Sequence, residues 1–102
     1  MEVIKTHEVD ASEKDSQGHY DYYYEFDEYQ FKDSNSIYHA RCYMEEPNSV
    51  NFSGVTRDNT RQLVTQTDIK SPAFKKAVEH LKNEGKITIE VLTESGYQAI
   101  NI

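Results

Sequence analysis

His39, Arg41 and Tyr43 stand at i, i+2 and i+4 of a segment, Ile37 to Met44, in which two sets of side chains alternate. On a strand that spacing puts all three on one face, with neighbours roughly 7 Å apart, about the span of a small anionic substrate. The imidazole could act as a base and the guanidinium could clamp a carboxylate or phosphate. The same pattern equally describes the outward side of a sheet whose other side carries Tyr38, Ala40, Cys42 and Met44. Cys42 and His39 differ by an odd number, so a strand points them to opposite faces and a thiol–imidazole pair is excluded.

Other chemistry is scarce. Ser95, in Glu94-Ser95-Gly96, lacks the glycine two positions earlier that a nucleophile elbow requires, and reads as a hairpin turn. Asp10 to Asp15 offers oxygens at some calcium-loop spacings. Asp15 occupies the sixth position, where that loop needs glycine, and Asp21 the twelfth, where it needs glutamate. His7, His19, His39 and His80 are dispersed, and no glycine loop of the phosphate-cradling kind occurs. No metal, no cofactor and no catalytic residue is expected, and the chain is not expected to be an enzyme. Asn51-Phe52-Ser53 fits a glycosylation acceptor, which means nothing in a cytoplasmic protein.

The segment His19 to Phe31, HYDYYYEFDEYQF, carries the strongest signal: seven aromatic residues and four acids, with neither lysine nor arginine. Tyrosine gives a large contact area at small entropic cost and ends in a hydroxyl that tolerates water. Read as a strand, Tyr20, Tyr22, Tyr24 and Phe26 share one face, expected to be core because the chain is poor in aliphatic residues. Asp21, Tyr23 and Glu25 share the other. The aromatic phase then changes from even to odd at Tyr29 and Phe31, and a β-bulge near Asp27 and Glu28 would restore it. Asp21, Tyr23, Glu25, Asp27 and Glu28 are thus expected to form an exposed strip that contacts a partner.

The elements that position these residues follow from pattern and punctuation. Val3 to Val9 reads as a first strand, and Asp10 to Gly18 as a polar loop. After the tyrosine strand, Asp33 to Ser36 turns the chain into Ile37–Met44, and Glu45 to Asn48 into Val50–Thr56, where Gly54 marks close backbone approach or a bend. Arg57 to Thr60 turns it again, into a short strand from Arg61 to Thr65. Ser71 as N-cap, Pro72 in the first turn and Gly85 after the last predict one helix over 71–84, with Ala73, Phe74, Ala77, Val78 and Leu81 as its apolar stripe. Strands from Ile87 to Leu92 and Tyr97 to Ile102 complete a single α+β domain spanning 1–102, in the order β-β-β-β-β-α-β-β. The expectation is a curved, meander-rich antiparallel sheet of six to seven strands packed on one helix.

Charge sharpens the functional classes. The net charge is −7, and residues 1–56 hold 12 acids against 4 bases, a balance of −8, whereas residues 57–102 hold 6 against 7, a balance of +1. Leu, Ile, Val and Phe together number 21 of 102, so tyrosine must supply part of the core. The acidic half is the aromatic half, which repels phosphates and anionic lipid and steers a basic protein toward it. Stacking platforms for nucleic acid need a basic groove, and the lysines Lys70, Lys75, Lys76, Lys82 and Lys86 of the helix segment are interrupted by Glu79 and Glu84. No apolar run is long enough for a membrane span and no signal peptide is read. With Cys42 the one cysteine, the reading is cytoplasmic.

In size, acidity and aromatic content the chain resembles the small immunity proteins that neutralise bacterial toxins, especially basic nucleases. That resemblance implies an inhibitor with a basic protein partner, and it carries over no individual residue. Two other functions stand beside it: a small-molecule or enzymatic domain using the concave sheet with His39, Arg41 and Tyr43, and a homodimer in which the aromatic strand pairs with its own copy.

Overall fold

Turn chemistry folds the first half of the chain into a meander. In the computed structural model, which describes residues 1–101, strands β1 (Glu2–Ala11), β2 (Tyr23–Asp33), β3 (Ser36–Tyr43) and β4 (Ser49–Arg57) pair antiparallel in chain order. Ser34-Asn35 closes the β2–β3 hairpin between the paired Asp33 and Ser36. Asp58 and Asn59, both at positive φ (50° and 62°), make the tight turn from β4 into β5 (Thr60–Gln62). Two consecutive left-handed residues match the twist of a two-residue hairpin, which is why Asp and Asn stand there.

The chain then forms α1 (Gln66–Ile69) and α2 (Pro72–Asn83) and returns as β6 (Thr88–Thr93) and β7 (Gly96–Ala99). The second helix is capped as its sequence predicts. Ser71 Oγ accepts from the Phe74 N–H at 3.2 Å, Pro72 lies in the first turn, and Gly85 at φ 91° ends it. Its buried stripe is Phe74, Ala77, Val78 and Leu81, with Ala73 at the margin. These pack against the sheet side carrying Tyr29, Phe31, Tyr38, Ala40, Cys42, Val50, Phe52, Val55, Ile89 and Val91. Phe52 and Phe74 meet at 4.7 Å between ring centroids, with Phe31 and Tyr38 at their flanks. Each large side chain removed from water here contributes roughly 1.5–3 kcal/mol.

Four expectations are corrected. The sheet is mixed: β6 runs parallel to β4, with Ser49 opposite Thr88 and Phe52 opposite Val91, because the helical crossover brings the chain back to start from the same end. The far edge of β4 is thus shared, its first half paired with β6 and its last three residues with β5. A second, short helix precedes the expected one. Thr65 and Asp68 form a reciprocal capping box there, and the Arg57 guanidinium, on β4, bonds both the Asp68 carboxylate and, at 3.3 Å, the Tyr38 hydroxyl. Asp27 and Glu28 carry no bulge, since β2 keeps one unbroken register with both β1 and β3.

The bulge lies instead in β4, where His39 faces Gly54 but Ala40 faces Phe52, leaving Ser53 as the extra residue. It lets Phe52 and Val55 both turn into the core. Gly54 does mark close approach: a Cβ there would stand 2.8 Å from the Gln62 carbonyl oxygen. Fourth, Tyr20, Tyr22 and Tyr24 are not core; each is 43–53% exposed. The last strand ends at Ala99, and Ile102, expected in it, lies outside the described residues. Among the described residues no helix is long and apolar enough to cross a membrane.

Candidate functional site

β1 and β2 are longer than β3, so their hairpin runs past the body of the sheet. Pairing with β3 reaches back along β2 only to Phe26, opposite Tyr43, whereas β1 continues to Ala11 opposite Tyr23. Beyond that pair the chain bends at Asp21, with the Ser12 hydroxyl accepting the Asp21 N–H at 2.7 Å, and an isolated bridge joins Lys14 to Tyr20 in the same register. The Asp15 carboxylate closes the tip by accepting the N–H groups of Gln17 and His19 at 2.8 and 2.9 Å. The result is a two-stranded arm, and it accounts for the molecule's elongation, 50 Å against 30 and 29 Å.

Tyrosine covers both faces of this arm. Tyr22 and Tyr24 stack at 6.1 Å, Tyr24 meets the edge of Tyr43, and Tyr43 packs on Phe26, over whose ring the Arg41 guanidinium lies at 4.4 Å. On the other face Tyr20 and Tyr23 meet at 5.2 Å, with the Lys14 ammonium 5.4 Å above Tyr20. Tyr20, Tyr22, Tyr23, Tyr24, Val9 and Met44 are all 40% exposed or more. Together they form an exposed, largely aromatic patch at this end of the molecule.

The five residues expected to contact a partner are divided by the structure. Asp21 is exposed on the arm, and Tyr23 donates its hydroxyl to Glu25 at 3.3 Å. Glu25 and Asp27 both bind His7, at 2.6 and 3.0 Å, and Asp27 lies 3.8 Å from Lys5. The chain of contacts continues from Lys5 to Glu84 at 3.1 Å, which also receives the Tyr29 hydroxyl at 2.8 Å and contacts His80 at 2.8 Å. Hydrogen bonds donated by the ring to Asp27 and then to Glu25 stabilise its charged form and raise the His7 pKa above the ordinary histidine value. Glu84 is held low, against the opposing cost of burial, by Tyr29, Lys5 and His80. Glu28 projects from the opposite face, where it pairs with Arg41 at 2.9 Å. Asp27 and Glu28 are therefore parts of the sheet's own ion pairs.

His39, Arg41 and Tyr43 do share one face, the one turned away from α2. His39 is buried, contacts Thr56 Oγ1 at 2.8 Å, and has its pKa lowered by burial and then by the Arg61 charge. Arg41 is bound to Glu28, and Tyr43 belongs to the aromatic row. Each side chain has its own structural partner, and α2 covers the other face of the sheet. Cys42 lies in the core opposite His39, with the Lys86 ammonium 3.3 Å from its sulfur. Among the described residues no group of three or more His, Cys, Asp or Glu side chains is arranged to hold a metal ion. β2 has a neighbour on each side from Phe26 to Lys32, so it has no free edge there for a second copy.

The residues that the sequence reading missed are Tyr20, Tyr22 and Tyr24, together with the turn Met44–Glu46 beside them. A signal was present: aliphatic residues are absent from 12–25. A strand destined for a core normally brings them. Comparison with protein-family models, with curated proteins and with solved structures finds no match to this chain.

Proposed function

We propose that this chain is a small acidic protein-binding domain whose tyrosine arm docks on a basic protein, in the manner of an inhibitor or immunity protein that masks a nuclease toxin in the cytoplasm. The observation that carries the reading is the cluster of four exposed tyrosines, Tyr20, Tyr22, Tyr23 and Tyr24, on a hairpin that projects from the sheet. Glu8, Asp10, Glu13, Asp15, Asp21 and Glu25 surround them, with Lys14 as the one lysine or arginine of that stretch. Rings supply contact area and rigid anchors, and carboxylates draw in a positive surface and exclude a negative one. An arm of this shape reaches into a cleft, as an inhibitor must to cover a basic active site.

The test is capture from lysate of the source organism with the wild-type protein and with a Tyr22→Ser/Tyr24→Ser variant as paired baits. Wild type is expected to retain a basic protein that elutes as salt rises, while the variant loses it with an unchanged circular dichroism spectrum. Retention that ignores both the substitutions and the salt concentration would falsify the reading.

A further inference from the structure

We infer that the cleft at the base of the arm receives one arginine side chain of the basic partner; the inference rests on the protein-binding reading above and assigns its anchoring contact. The cleft opens where β2 runs past the end of β3, and it has a volume of about 410 Å³. Tyr23, Tyr24, Tyr43, Glu25, Glu45 and Glu46 are among the residues that line it. Because it lies on a strand edge, residues from both faces of β2 reach it, which is how consecutive tyrosines line one cavity. None of the residues lining it is basic.

Two features select the occupant. Aromatic faces attract a cation through their quadrupole, and a planar guanidinium stacks on them while its fork reaches carboxylates, which a compact ammonium does less well. The carboxylates are also unbalanced. Glu25 is matched to His7, but among the described residues the side chains of Glu45 and Glu46 enter no ion pair with a cation of this chain. Both are exposed, on the turn that follows β3. A cation from outside completes what the chain leaves open. The same face already holds one example of the chemistry, Arg41 over Phe26 and bonded to Glu28.

The probe is the peptide acetyl-Gly-Arg-Gly-amide, titrated into the isotopically labelled full chain, with the citrulline peptide as its uncharged isostere. Saturable chemical-shift changes are expected at Tyr23–Glu25 and Tyr43–Glu46, with no response to citrulline. The Glu45→Gln/Glu46→Gln variant, whose altered side chains hold up no part of the fold, is expected to weaken binding about fivefold or more. Shifts scattered along the other acidic segments, no saturable response, an equal response to citrulline, or undiminished affinity in the double variant would each overturn the inference. A basic partner captured through the arm while the peptide ignores the cleft removes the arginine site and leaves the function. A peptide seated in the cleft with no basic partner captured does the reverse.

Discussion

At the scale of single residues, two histidines give the fold opposite responses to acid. His7 gains charged-form stabilisation from Asp27 and Glu25, so its folded pKa lies above the unfolded value of about 6.5. Its contribution to stability is full below that value and fades as pH rises through the folded pKa. His39 is buried with its pKa lowered, so its contribution is full above about 6.5 and is lost as pH falls toward its folded pKa. NMR titration of the two imidazole rings should give midpoints on either side of 6.5, and Asp27→Asn should move the His7 midpoint down while leaving His39 in place. Equal midpoints would show that neither environment acts as described. Little of this was legible in the sequence, because His7 meets Glu25 and Asp27 only through the β1–β2 register. The tyrosines illustrate the same limit. Period two correctly grouped Tyr22 with Tyr24, yet whether that group met a core depended on where β3 stops.

At the scale of elements, punctuation was more informative than hydrophobicity. Ser71, Pro72 and Gly85 located α2 to within a residue, because caps act locally and need no knowledge of the rest of the chain. The signal for α1 was also present, as Thr65 followed three residues later by Asp68, but four residues leave no periodicity to read. The aromatic phase change in β2 was real and its cause was misassigned. No residue is inserted; the strand passes from the arm to the part of the sheet covered by α2, and Tyr29 and Phe31 face the helix while Phe26 faces away under Arg41. Asp68 is the fastening of the element boundary, since it caps α1 and binds Arg57 of β4. Asp68→Ala takes the carboxylate from the Arg57 guanidinium, which keeps the Ser36 and Tyr38 hydroxyls, and leaves the Thr65 N–H without its acceptor, and urea unfolding should show a loss of about 2–4 kcal/mol. A loss within error would mean that α1 is not held by this contact.

At the scale of the whole molecule, the arm and the sheet body are separable. The core that α2 covers begins on β2 at Tyr29, and residues Ser12 to Tyr22 contribute nothing to it. Replacing Ser12–Tyr22 by Asn-Gly joins the paired Ala11 and Tyr23 through a turn suited to that spacing. The thermal midpoint of this variant should stay within a few degrees of wild type, whereas affinity for the partner captured by the intact chain should fall by about tenfold or more. Collapse of the fold would show that the arm is structural. The meander, the helix α2 that packs on the sheet and the acidic character of the aromatic half were legible at this scale. The parallel return was not drawn from the pattern, although a helix between two strands that lie side by side is the ordinary route to it.

The divided edge of β4 carries a consequence in time. Its hairpin with β5 closes a two-residue loop, and the pairings among β1, β2, β3 and β4 are likewise between neighbours in sequence, β1–β2 spanning the longest connection. The partnership with β6 must wait until the chain from Arg57 to Thr88 has been gathered, at an entropic cost that no local contact offsets in advance. Refolding should therefore pass through a meander that is already zipped before β6 arrives. Substitutions such as Ile89→Val should chiefly accelerate unfolding, and Val55→Ala should chiefly slow folding, in a stopped-flow comparison of the two.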